Sequence, residues 1–122
     1  MVGNTRFQTA SRHAISDAWA GQAASFDLYT HGDRQFVAFY AADRSIVAGQ
    51  RRLGETDWTL ATVTEERNNV WDGHNLLSLA VDDEERLHLS GDVHADPLNY
   101  FRTSEPLDVT TFERVDSMVG SE

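Results

Sequence analysis

The chain has 122 residues, is 40% hydrophobic and carries a formal net charge of −10 from 20 acidic and 10 basic residues. That length fits one domain at most, the absence of Cys rules out disulfides and thiolate metal sites, and no apolar run reaches the length of a transmembrane helix. A field this negative disfavours nucleic acid and anionic membrane surfaces as partners.

All ten basic residues are Arg. An acidic, self-repelling surface without Lys is read as the style of a halophilic host, the alternative being an ordinary acidic protein from a GC-rich genome. The segment Met1-Val2-Gly3-Asn4-Thr5-Arg6 does not lead into an apolar stretch of signal-peptide type. Either the chain stays inside the cell or its export signal lies outside this sequence, so localisation is left open.

In chain order, residues 1–25 are expected to be an N-terminal segment, with one or two strands of a preceding unit around Ala14-Ile15-Ser16 and Trp19. A first group of four strands spans 26–64. Phe26–His31 is followed by a turn at Gly32-Asp33-Arg34, then by Gln35–Ala41, rich in β-formers. Ala42-Asp43-Arg44 turns into Ser45–Arg52. Gly54-Glu55-Thr56-Asp57 breaks that strand, and Trp58–Val63 closes the group. A second group over 71–116 repeats the plan. It has strands at Asn75–Val81, Arg86–Val93, Leu98–Thr103 and Thr111–Val115, with a charged turn at Asp82-Asp83-Glu84-Glu85. Gln35 falls on Arg86, 51 residues later, and Ile46 on Leu98, 52 later.

A repeat near 50 residues with four strands per unit is the signature of propeller blades, each needing neighbours to cover its faces. The expected fold is therefore all-β: a partial β-propeller of about two four-stranded antiparallel blades plus an N-terminal strand segment. Two blades do not close a ring. Residues 117–122 then read as a link into a missing blade, with a partner chain or further copies of this one as ways to complete the circle.

The segment densest in chemistry is Trp71-Asp72-Gly73-His74-Asn75, followed by Leu87-His88-Leu89-Ser90-Gly91-Asp92-Val93-His94. His74 is placed at the opening of one strand and His94 at the end of the next, so antiparallel pairing brings them to one rim. A pair of imidazoles suits proton transfer or metal ligation near neutral pH. No third His or Cys with suitable spacing completes a zinc set, so no metal or other cofactor is expected. His88 is read as structural, and His13 and His31 as surface residues. Alternation puts Tyr100 and Arg102 on one face, with Arg102 able to grip a carboxylate or to pair with Glu105 or Glu113. The acidic turn 82–85 is read as a solvated hairpin turn rather than a Ca²⁺ site, and Trp58 as packing between blades.

These segments, with Pro97-Leu98-Asn99-Tyr100-Phe101-Arg102 after them and Gln35-Phe36-Val37-Ala38-Phe39-Tyr40, Arg51-Arg52-Leu53 and Trp58 before them, resemble the BNR-repeat (bacterial neuraminidase repeat) family over roughly residues 15–122. Its members commonly carry Asp-x-His-Asn, Leu-His-x-Ser-Gly with a second His, and Pro-Leu-x-Tyr-x-Arg segments, and are often secreted. The family includes seven-bladed lyases that cleave ulvan-type uronate polysaccharides by β-elimination. The resemblance implies His74 and His94 as catalytic residues, Asn75, Tyr100 and Arg102 as substrate-binding residues, and an acidic polysaccharide or other glycan as partner. In such lyases the catalytic Tyr and the Arg that neutralises the uronate carboxylate lie on later blades. By that comparison this chain is inactive alone. The alternatives are a non-catalytic glycan-binding or scaffold propeller and a sialidase-like hydrolase. Trp58 after Gly54-Glu55-Thr56-Asp57 resembles the sialidase Asp-box only in scrambled order.

Overall fold

The computed structural model describes residue 6 and residues 8–117, and these form eight strands in two sheets. Sheet 1 is the meander β1 (Phe26–His31), β2 (Arg34–Tyr40), β3 (Ile46–Arg52) and β4 (Thr59–Thr64). Sheet 2 is the meander β5 (Ser78–Val81), β6 (Leu87–Ser90), β7 (Tyr100–Thr103) and β8 (Phe112–Arg114). Every pairing is antiparallel, and a three-residue 3₁₀ turn at Val109–Thr111 precedes β8. The fold is all-β, with the stacked four-stranded sheets of a partial β-propeller.

Local chemistry explains the turns. His31 pairs with Arg34 across a two-residue loop in which Gly32 has φ of 58°. A positive φ at the first loop position suits the right-handed twist of the flanking strands, and only Gly reaches it without cost. Between β2 and β3, the Asp43 carboxylate accepts from the Ser45 N–H at 3.0 Å and the Ser45 hydroxyl at 2.7 Å. At the β5–β6 hairpin Asp82 accepts from the N–H groups of Glu84 and Arg86, both at 2.9 Å. The charged turn 82–85 is thus organised around one aspartate.

The sheets meet through alternate residues. Phe36, Ala38 and Tyr40 of β2 and Ile46 and Ala48 of β3 pack against Leu77, Leu79, Leu87, Leu89, Phe101 and Val109. Burying a side chain of this size contributes about 1.5–3 kcal/mol. Sheet 1 also covers the free edge of β5. The Leu77 N–H donates to Ser25 Oγ at 2.6 Å and the Leu79 N–H to Asp27 Oδ2 at 2.8 Å. Each joins residues 52 apart, the repeat offset expressed as contact. An unpaired sheet edge is thereby satisfied by side chains.

Some local expectations are corrected. The N-terminal segment forms no strand at Ala14–Ser16. Its tie to sheet 1 among the described residues is one bridge, Ala18 to Ala41, with the Trp19 N–H on the Tyr40 carbonyl at 2.9 Å; β1 begins opposite Phe39, so Tyr40 and Ala41 are open on that side. Ile15 and Ala18 line an apolar groove on the outer face of sheet 1 with Phe26, Leu28, Val37 and Phe39. Strands of sheet 2 are shorter than read. Asn75–Leu77 precede β5 and Gly91–Val93 follow β6. Trp58 stacks beneath the Arg51 guanidinium, 4.9 Å away, on the face of sheet 1 turned from sheet 2. Of the expected link 117–122, residues 118–122 lie outside the described residues.

Candidate functional site: a two-histidine rim

Two loops at one end of sheet 2 build the site, one joining β4 to β5 and the other joining β6 to β7. Asp92 fastens them by accepting from the Asn69 N–H at 3.1 and 3.2 Å. Asn75 fastens them again, its Nδ2 donating to the Asn69 carbonyl at 2.9 Å and its Oδ1 accepting from the His94 N–H at 2.8 Å. The Tyr40 hydroxyl completes the clamp from sheet 1. It donates to the Asn75 carbonyl at 3.1 Å and accepts from the Asp92 N–H at 3.0 Å. Burial pushes that phenol up to about 12. The second loop holds two non-glycine residues in the left-handed region, Asp92 (φ 55°) and Ala95 (φ 61°), on either side of His94. Such backbone persists where surrounding bonds over-determine it.

On this frame Asp72 receives both imidazoles. Its Oδ1 lies 2.8 Å from His74 Nδ1 and its Oδ2 2.5 Å from His94 Nδ1. Oδ1 also accepts the His74 N–H at 2.9 Å. The rings lie 4.7 Å apart, tilted by 45°. The hydrogen bond from His94 holds the Asp72 carboxyl well below the usual carboxylate range, aided by the backbone and ring of His74. A carboxylate only accepts, so each Nδ1–H donates to it and each Nε2 lone pair is turned outward. Neither Nε2 has a partner among the described residues. The pair can therefore take or give protons at two neighbouring points. Beside it, Trp71 is 57% exposed and stands edge-on to Trp19 at 5.0 Å. Trp71, Asp72, Gly73 and His74 line an open depression with Gln22 and Asn69.

The rim brings His74 and His94 together although both sit on loops rather than strand ends. Asn75 lies beside them but is 3% exposed, with both ends of its amide spent on backbone. These bonds hold the backbone of His94 in place. Tyr100 and Arg102 do share a face, the outer face of sheet 2, but Tyr100 is 3% exposed there and its hydroxyl meets His88 Nδ1 at 2.5 Å. His88 Nε2 in turn meets Asp82 Oδ2 at 2.8 Å. The His88 contact lowers the Asp82 carboxyl, and burial raises the Tyr100 hydroxyl. Arg102 pairs across the strands with His88 and Glu113. Tyr100 and His88 thus belong to a polar framework on the sheet, and Arg102 borders it. Asp72 stood in the segment richest in chemistry but was assigned no role. The signal was present in its place two residues before His74.

No curated protein matches the chain. The family model described as BNR repeat-containing family member matches residues 34–122, which take in sheet 2 whole, sheet 1 from β2 onward and the histidine rim. The chain belongs to the BNR repeat-containing family.

Proposed function

We propose that the rim is the proton-transfer half of a site for β-elimination in uronate polysaccharides. One observation carries the reading: a single carboxylate, Asp72, orients two exposed imidazoles so that both Nε2 atoms face outward with their rings 4.7 Å apart. In the elimination, one neutral Nε2 takes the C5 proton of the uronate. The C–H pair becomes the C4=C5 double bond, the C4–O bond breaks, and the leaving oxygen collects a proton from an acid. Proton transfer of this kind is effective when the catalytic pKa lies near the working pH, which suits imidazole. The C5 proton becomes acidic enough only when the neighbouring carboxylate is neutralised.

That requirement dictates the experiment. The chain is incubated with a uronate oligosaccharide and with its methyl ester, whose carboxyl carries no charge to neutralise. The readout is ultraviolet absorbance of the unsaturated product. The expected result is turnover of the ester that is lost in His74→Ala and in His94→Ala. Absorbance no faster than buffer with either substrate refutes the elimination reading.

A second reading, glycan binding without chemistry, is favoured by Trp71. Its exposed indole beside the histidines is a platform for the apolar face of a sugar ring. Retention on an immobilised uronate polymer that falls in Trp71→Ala, with no absorbance growth, selects it.

A further inference from the structure

We propose that Asp72, His74 and His94 form a binding site for a divalent transition-metal ion of the zinc type. Their ligand atoms, one carboxylate oxygen and two imidazole nitrogens, all lie within 4.8 Å of one another. On a tetrahedral ion, bonds of about 2.0–2.2 Å place donor atoms roughly 3.3 Å apart. The Asp72 oxygens stand 2.8 and 2.5 Å from the two Nδ1 atoms, hydrogen-bond distances that open by about 0.5–0.8 Å when an ion replaces the protons. The remaining closure, of about 1.5 Å at most between the two rings, is a side-chain rotation. The rings are free to make it, being 78% and 50% exposed.

The donor set selects the ion. Two imidazoles and one carboxylate suit Zn²⁺ and its borderline neighbours, whereas Ca²⁺ and Mg²⁺ call for shells of oxygen. Three protein ligands leave a fourth position open to water or to an anionic oxygen, the arrangement of catalytic rather than structural zinc. The backbone that carries the ligands is itself held. Asn75 holds the His94 backbone, and the Asp72 N–H bonds the Asn69 carbonyl at 3.3 Å. To bind through Nδ1 each neutral ring moves its proton to Nε2, so the ion and a base at Nε2 are alternative uses of the same imidazoles. The site therefore stands apart from the elimination reading.

The test uses metal alone on the full chain, with excess MgCl₂ present to occupy the acidic surface. Calorimetric titration with ZnCl₂ is expected to give one saturable site per chain. Affinity is expected to fall more than about tenfold in Asp72→Asn, His74→Ala and His94→Ala, and to be unchanged in His13→Ala and His31→Ala. The wild-type chain titrated with CoCl₂ is expected to show the intense visible bands of a low-coordinate ion, which needs no variant to fold. Absence of saturable zinc binding, binding that survives loss of both His74 and His94, or a cobalt spectrum equal to that of the aqueous ion overturns the proposal. The elimination assay is run with chelator, so failure of either reading leaves the other to its own result.

Discussion

Replacing Tyr40 by Phe isolates the clamp between the sheets and the rim. The ring stays in the core, where Tyr40 is 2% exposed, and only the hydroxyl is lost. Two partners then lack their bond, the Asn75 carbonyl at 3.1 Å and the Asp92 N–H at 3.0 Å. A buried polar group left unsatisfied costs about 1–3 kcal/mol. Asp92 is part-exposed, so water recovers some of its share, and the variant no longer desolvates a phenol. The expected net loss is about 2 kcal/mol. For a domain of this size that lowers Tm by roughly 6–10 °C. Tyr29→Phe is the control, since that hydroxyl has no hydrogen-bond partner among the described residues, and it should stay within about 0.5 kcal/mol of wild type. Urea unfolding followed by Trp fluorescence measures both. Amide hydrogen exchange at Asp92 and His94 shows whether the loops loosen with it. Equal stability of the two variants would refute the idea that the Tyr40 hydroxyl holds sheet 1 to the rim.

The same phenol sets an alkaline limit. Folded Tyr40 keeps its proton up to about 12, whereas an unfolded tyrosine releases it near 10. The unfolded state therefore gains the advantage as pH rises: the contribution is whole below about 10 and is lost between about 10 and 12. The urea midpoint should fall across that window in wild type and less steeply in Tyr40→Phe. Gly91→Ala tests a close approach between the rim and the core, because a Cβ there would stand 2.3 Å from Leu77 Cδ2 and 3.1 Å from the Tyr40 hydroxyl. Overpacking of this kind costs about 1–3 kcal/mol. Gly73→Ala, whose nearest neighbour is at 3.4 Å, should cost less than about 0.5 kcal/mol by thermal melt.

Sheet 1 was legible almost residue by residue because strong punctuation bounds its strands. Gly32, Asp43 and Gly54 each stand at a turn, and β2 is a run of β-formers buried on both faces. Sheet 2 was read too long at both ends of the rim. Asn75-Leu76-Leu77 leads into β5 as one apolar run, yet Leu76 is 60% exposed and the Asn75 amide is drawn into the loops. Tertiary bonds overrode the local pattern there. The meeting of His74 and His94 followed from meander topology, which was in the sequence. The reason they meet was not. It lies in Asp72, and in Tyr40, whose bonds to residues 35 and 52 positions away follow no local period.

That distribution bears on how a propeller carries a site. The histidines and Asp72 all come from loops at one end of sheet 2, so the chemistry looks like the property of one blade. Its geometry is not. The backbone that presents His94 is held by Asn75, and Asn75 is held by a phenol rising from the core of the neighbouring sheet. Sheet stacking is driven by apolar burial that is indifferent to small shifts, while hydrogen bonds lose their strength over fractions of an ångström. A repack at Leu77 or Leu79 that keeps the core apolar would therefore be tolerated by the fold and felt at the rim. Stability and site geometry should separate in such variants, because one follows buried area and the other follows the reach of a single hydroxyl.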